Sequence, residues 1–330
     1  LDALRRDPRV RSVELDQPVH AFGQTIPTGV GRINATTTSA IGIDGLDDRR
    51  VDADVAVIDT GVDLKNADLN VVDGVDCRSG SCAVGGADDN GHGTHVAGII
   101  GALDDSSGVV GVAPGVRIWS VKVLDRRGSG AMSGIVAGVD YVAAHADAIE
   151  VANMSLGCQC SSSALDTAIS NAVAKGIVFA VAAGNSYMDA KNFTPANHPE
   201  VITVSAIADY DGLAGGLAKS TCYADRDDTL AGYSNWGRTI EVAAPGTCIL
   251  SLAPGGKLAT MSGTSMASPH VAGAAALLAS VSKPTSRSQA LAIRSTIAQK
   301  GNSGWTDDGP DGQREPLLDV SSFVPVLVAK

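Results

Sequence analysis

From residue 54 onward the chain alternates between two hydrophobic patterns. Short, almost wholly apolar runs rich in Val and Ile read as strands buried on both faces: DVAVID (54–59), RIWSVKVL (117–124), EVANMS (150–155), GIVFAVAAG (176–184), VITVSA (201–206) and TIEVAA (239–244). Between and after them, longer Ala-rich stretches predict helices: GTHVAGIIGAL (93–103), AMSGIVAGVDYVAAHA (131–146), SALDTAISNAVAKG (163–176), SMASPHVAGAAALLAS (265–280) and SQALAIRSTIAQ (288–299). Alternation of this kind, with no repeats and no low-complexity linker, predicts an α/β domain built on one doubly wound, mainly parallel sheet with right-handed crossovers. The active site of such a sheet lies at the carboxyl ends of its strands. Residues 1–22 depart from the pattern: Arg5, Arg6, Arg9 and Arg11 precede a partly alternating stretch that ends at Pro18, which reads as an appended strand and extended tail.

Composition narrows the packing. The 330 residues include 38 glycines, and aromatics are only 4%, so close packing rests on Ala, Val, Ile and Leu. A chain of that length can bury a sizeable core. With 36 acidic and 25 basic residues the formal charge is −11, which argues against nucleic acid or an anionic membrane as partner. No run approaches the roughly 18 apolar residues of a membrane span. Leu1 is not an initiator methionine, so any secretion signal is expected to have been removed or omitted. The six cysteines show no C-x-x-C metal spacing, which favours disulfides and an oxidising compartment over free thiols. Of the connectivities open to them, Cys77 with Cys82 and Cys222 with Cys248 are expected; a Cys158–Cys160 bridge would be strained.

The chemistry gathers where apolar runs stop. GTSMASPHVAG (263–273) places Ser265 at the start of a helix, where it either caps the orphan amides or uses those same amides to stabilise an oxyanion formed when it attacks a carbonyl. DVAVIDTGVD puts Asp59 at the end of the first buried strand. DDNGHGTHVAG opens a helix with His92 between two glycines, and VAAGNS ends another strand at Asn185. Asp, His and Ser are the parts of acyl transfer: the imidazole takes the serine proton and returns it to the leaving group, the carboxylate orients the imidazole, and an amide donor binds the oxyanion. Taken singly, Asp59 could be a turn former, Asn185 a left-handed turn residue, and His92 with His95 a surface pair or a metal fragment. Zinc lacks a third ligand at the usual spacing.

Together, in the order Asp59, His92, Ser265 with AAGNS between the second and third blocks, these motifs resemble the subtilisin-like serine proteases over nearly the whole chain. The resemblance implies a single seven-stranded sheet with helices on both faces, and a secreted, monomeric endopeptidase. Asp59 would orient, His92 act as general base and acid, Ser265 attack, and Asn185 with the Ser265 N–H form the oxyanion hole. Protein and peptide substrates would bind as an extended strand against Gly128, Ser129 and Gly130 on one side and Ser155, Leu156 and Gly157 on the other. Ala183 and Gly184 would wall the pocket for the residue before the cut. The segment AKNFTPANHPEVITV (190–204) is similar to the proteinase K branch, implying broad specificity leaning toward apolar or aromatic residues; the cysteine positions do not match that branch.

The resemblance also implies structural calcium, since GALDDSSGVVGVAPG (101–115) is similar to a calcium loop rich in hard oxygen donors. The ligands would be Asp105 by its side chain, the carbonyls of Leu103, Ser107 and Val109, Asp68, and Gln24. Asp88 and Asp89 offer either a further cation site or, more simply, a solvated loop. GQTIPTGVG (23–31) resembles the start of a mature enzyme, and ELDQPVHAF (14–22) the end of an inhibitory propeptide. The domains would then be a propeptide remnant, 1–22, and a catalytic domain, 23–330, with cleavage between Phe22 and Gly23; on this view Gln24 completes the calcium site only after, or with rearrangement at, cleavage. A pseudoenzyme that holds peptides without cutting them has no motive here, because all four chemical residues are present. An α/β-hydrolase needs G-x-S-x-G, and GTSMA lacks the last Gly; a dinucleotide fold fails because Val96 replaces the third Gly of G-x-G-x-x-G.

Overall fold

The computed structural model describes residues 23–37 and 40–330. The expected propeptide remnant, with Phe22 at its end, lies outside the described residues. The six apolar runs and the segment 70–76 form seven parallel strands: β1 (Asp54–Asp59), β2 (Asn70–Asp76), β3 (Arg117–Lys122), β4 (Val151–Met154), β5 (Val178–Ala182), β6 (Ile202–Ala208) and β7 (Val242–Pro245). Their order across the sheet is β7-β6-β5-β4-β1-β3-β2. Two short antiparallel pieces, Ala83–Val84 on β2 and Thr229–Leu230 on β6, bring the sheet to nine strands.

The helices are α1 (Thr28–Arg32), α2 (His92–Gly101), α3 (Met132–Ala144), α4 (Ser163–Ala174), α5 (Thr264–Val281) and α6 (Arg287–Lys300). Central strands such as β1 are buried along their whole length because helices cover both faces: α2 and α5 pack together, and α3 packs with α4. Strand β2 is the exception. It lies near the edge, half exposed, with a register shift between Val71 and Asp73, and its sequence NVVDGVD therefore lacks the continuous apolar run that marks its neighbours. A hairpin of β8 (Ile249–Ala253) and β9 (Lys257–Met261) leads into α5.

The chain reverses its direction of travel across the sheet at β1, which pairs with β3 on one side and β4 on the other. Crevices at such reversals lie beyond the carboxyl ends of the strands. The residues that follow β1, β4 and β5 therefore converge there. Among the described residues no helix is long and apolar enough to cross a membrane. Cys77 with Cys82, Cys158 with Cys160, and Cys222 with Cys248 lie at disulfide-bonding distance, including the pair expected to be strained.

Candidate active site

Asp59 closes β1 fully buried, and its Oδ1 accepts from the Thr60 N–H and from His92 Nδ1, both at 2.7 Å. A carboxylate only accepts, so Nδ1 carries the proton and Nε2 is left to face the cleft. Burial works against the imidazolium, but the charge and hydrogen bond of Asp59 outweigh it and hold the His92 pKa above its ordinary value. The close approach depends on glycine: a Cβ on Gly93 would stand 2.0 Å from the Gly61 carbonyl oxygen.

Asp88 fixes this turn through its hydrogen bonds. Its Oδ1 accepts from Thr60 Oγ1, Asn90 N and Gly91 N at 2.9 Å, and its Oδ2 from Thr94 N at 3.0 Å and Thr94 Oγ1 at 2.6 Å. Four of these five bonds come from residues 90–94 at the start of α2, and the fifth ties Asp88 to Thr60 after β1. Asp89 pairs with Lys122 at 2.6 Å, a buried lysine that also donates to the Thr60 carbonyl. His95 is not a partner of His92 at the surface: it is buried, with Nε2 3.1 Å from the carbonyls of Ile249 and Ala259, and burial pushes its pKa down to about 4.

Ser265 is the second residue of α5. Its hydroxyl donates to the Ser155 carbonyl at 3.2 Å, and its N–H meets no acceptor among the described residues. Asn185 stands beside it. Its Oδ1 accepts from Thr264 N at 2.8 Å and Thr264 Oγ1 at 2.9 Å, which leaves the amide N–H groups without a protein partner and fixes which end of the amide is which. The Ser265 N–H and the Asn185 amide are thus two unspent donors at one helix start.

A cleft of about 420 Å³ takes in His92, the 128–130 segment and the 155–157 segment. A smaller one of about 210 Å³ holds Ser265, Asn185, Ala183 and Gly184, and the two share Leu156, Gly157 and Thr194. The edge open to an extended peptide is narrower than the sequence suggests. Ser129 spends its N–H on the Asp125 carboxylate and its carbonyl on the Asp125 N–H, whereas Gly130, Leu156 and Gly157 keep their backbone groups unpaired among the described residues.

Several supporting residues escaped the sequence reading. Ser268 Oγ donates to Asn153 Oδ1 at 2.7 Å, Asn153 Nδ2 to Ser155 Oγ at 2.9 Å, and Ser155 Oγ to the Ser265 carbonyl at 2.8 Å. That carbonyl is free because Pro269, four residues on, has no N–H to give it. Asn235, fully buried, donates to Ala183 O at 2.8 Å and accepts from Ser186 N and Met188 N at 3.0 Å, holding the loop after β5. The available signal was a polar residue inside an apolar strand, as with the Asn of VANM.

At the expected calcium loop, Gln24 Nε2 lies 2.6 Å from Leu103 O and 3.4 Å from Val109 O. Asp68 is buried beside them, accepting from the Leu103 and Val109 amides at 3.2 and 3.3 Å, and burial, with Asp105 nearby, pushes its carboxyl up to about 7. Asp105 turns to Ser107 instead, accepting from its N–H and hydroxyl at 2.9 Å. Beside Gln24 the Thr25 N–H donates to Gly108 O at 2.9 Å. A further acidic cluster, Asp209, Asp211 and Asp227, has oxygens all within 4.8 Å of one another and is an arrangement that could hold an ion. Arg32 already lies 2.8 Å from Asp209.

Comparison with known proteins accords with this arrangement. Residues 52–313 match the model of the subtilase family. The chain is 38% identical over 315 residues to subtilisin E of Bacillus subtilis, covering 93% of this chain and 75% of that protein. It is 39% identical over 290 residues to subtilisin DY of Bacillus licheniformis, covering 87% and 96%. A solved cold-adapted subtilisin-like serine proteinase superposes with a TM-score of 0.68 at 35% identity, covering 84% of this chain and 97% of that one. The chain belongs to the subtilase family and is a serine endopeptidase of the subtilisin type.

Proposed function

We propose that Asp59, His92 and Ser265 cut peptide bonds through an acyl-enzyme. The observation that carries this reading is the 2.7 Å contact of Asp59 Oδ1 with His92 Nδ1, at the edge of a cleft that adjoins the pocket holding Ser265. His92 Nε2 takes the hydroxyl proton as Ser265 Oγ leaves the Ser155 carbonyl and attacks, while Asp59 stabilises the imidazolium. The tetrahedral oxyanion falls to the Ser265 N–H and the Asn185 amide, which are already oriented and need no rearrangement. The imidazolium then protonates the leaving amine, and water repeats the sequence to release the acid.

The substrate lies extended along Gly130 and Leu156, where backbone pairing gives affinity with little sequence demand. The residue before the cut enters the pocket walled by Gly157, Ala183, Gly184 and Phe193. Its apolar lining favours apolar or aromatic side chains. Gln24, Asp68 and the Leu103 and Val109 carbonyls suit a hard cation, since all can present oxygen once the amide of Gln24 turns over, and calcium there would neutralise a buried carboxylate that has no cationic partner. The enzyme is a secreted zymogen whose own propeptide inhibits it until cleavage before Gly23, and it works as a monomer.

The test is intact mass with calcium, before and after a fluorophosphonate that labels only activated serines. One adduct on Ser265, absent in Ser265→Ala, with a chain beginning at Gly23, is expected. An unlabelled chain that still digests casein would overturn the assignment.

A further inference from the structure

We infer that the bridge between Cys158 and Cys160 is a positioning element of the substrate cleft: it stiffens the segment that follows the Ser155–Gly157 edge, and so sets how tightly an extended peptide is held. This rests on the proposed path of the substrate along Leu156.

The sequence SLGCQC runs straight from that edge into the cysteine pair, whose Cα atoms stand 5.3 Å apart with one residue between them. A bridge that closes so small a loop takes little entropy from the unfolded chain, because that gain grows with the number of residues enclosed. The pairs Cys77–Cys82 and Cys222–Cys248 span 5 and 26 positions and enclose more. What the Cys158–Cys160 bridge does is therefore local.

Its surroundings show what it holds. Cys158 belongs to the cleft wall that includes His92 and Gly130, and it pairs antiparallel with Thr194. The Cys158 N–H donates to Thr194 O and the Thr194 N–H to Cys158 O, both at 3.0 Å. Thr194 lies with Leu156 and Gly157 where the two clefts meet, and Gly157 packs directly on it: a Cβ there would stand 2.8 Å from Thr194 O. Downstream, the next anchor is Ser162, whose hydroxyl accepts from the Leu165 N–H at 3.2 Å at the start of α4. Between the two anchors Gln159, Cys160 and Ser161 are exposed. Among the described residues they are tied down by the Cys160 N–H, which donates to Cys158 O at 2.9 Å, and by the bridge itself.

An edge whose backbone is already ordered spares a peptide the entropy of ordering it on binding. Asp59, His92 and Ser265 stand on other elements, so opening the bridge should weaken binding and leave the chemistry alone, which raises KM at constant kcat. A dithiol opens it in two steps. Its thiolate attacks Cys160 Sγ, on the exposed residue of the pair, and the Cys158–Cys160 bond breaks with Cys158 leaving as thiolate. The second thiol then displaces Cys160 and closes a cyclic disulfide, so the protein gains two electrons and two protons.

The experiment compares a long peptide, which pairs with the edge, and a short activated ester, which fills only the pocket before the cut. Both are given to the intact enzyme with and without a dithiol, and to Cys160→Ser. The ester reports the chemistry by itself, so failure of the catalytic reading and failure of this one are seen apart. Reduction and Cys160→Ser are each expected to raise the peptide KM about 3-fold to 10-fold, the cost of one more group to be ordered on binding, with peptide kcat and ester turnover unchanged. The dithiol should add nothing in Cys160→Ser. An unchanged peptide KM once mass mapping shows the bridge open, a dithiol effect that persists in Cys160→Ser, ester turnover that falls in step with peptide turnover, or free thiols at Cys158 and Cys160 in the untreated chain overturns the inference.

Discussion

Replacing Ser155 with alanine tests how α5 is held to the sheet. Its hydroxyl donates to the Ser265 carbonyl at 2.8 Å and accepts from Asn153 Nδ2 at 2.9 Å, so the change strands two polar groups. A buried group left unpaired costs about 1–3 kcal/mol. Ser155 lines the cleft, so water can reach the carbonyl side and the sum belongs near the lower end, about 2–3 kcal/mol. The decisive comparison is with Pro269→Ala. Alanine there restores a main-chain N–H aimed at the same carbonyl, so the double variant should be more stable than the sum of the single changes by about 1 kcal/mol. Urea unfolding of the four proteins in calcium, with a serine inhibitor present, measures the cycle. A Ser155→Ala cost below about 0.5 kcal/mol, or additivity within that margin, would show that Pro269 and Ser155 are not coupled through the Ser265 carbonyl.

Catalysis needs neutral His92, and Asp59 holds its pKa above the ordinary 6.5, so kcat/KM should rise with pH to a half-maximum above 6.5. The stability the pair adds runs the other way: present in full below the unfolded pKa and lost as pH rises through the folded one. Asp59→Asn should move the activity limb downward; an unmoved limb assigns it to another group. Thr264→Val removes one of two bonds that hold Asn185 Oδ1 and the acceptor of the Gly184 N–H, and should lower kcat about 10-fold to 100-fold with KM less affected; equal loss in KM would point to a displaced pocket instead. Buried His95 and His270 are both pushed down to about 4 by burial. The unfolded chain therefore binds protons that the folded one refuses, and stability should fall as pH drops from 6.5 toward 4, by on the order of 3 kcal/mol for each. Denaturant unfolding of His270→Gln should show a shallower acid slope, and an unchanged slope would exonerate His270.

The elements legible in the sequence are those buried on both faces. β1 and β5 are apolar runs, and Asp59 and Asn185 stand out because they sit at or beyond the ends of such runs. His92 and Ser265 open helices, where a glycine and a small polar residue interrupt an Ala-rich pattern. What the pattern hides is what tertiary contact supplies. β2 reads as loop because one edge of the sheet is wet, and the five-residue α1 is too short for a period to emerge. The residues that steady the cleft were invisible for a different reason. Thr264, Asn153, Ser268 and Asn235 are ordinary in type, and each matters only through a partner 79, 2, 115 or 52 positions away.

The formal charge of −11 gains meaning from where the acids lie. An excess of exposed carboxylates would merely repel through water and be screened by salt. Here part of the excess is turned inward, as at Asp68, buried beside the loop that meets Gln24. A second inward cluster, Asp209 with Asp228, meets the buried guanidinium of Arg32, so it is neutralised by the chain itself. Asp68 has no such partner among the described residues. The calcium proposed beside Asp68 would do for the segment at Gln24 what Arg32 does for the loop between β6 and β7. Removing the calcium proposed beside Asp68 should therefore loosen that loop before the centre of the sheet, with early amide exchange near residues 24–25 and 103–109 while β1, β4 and β5 stay protected.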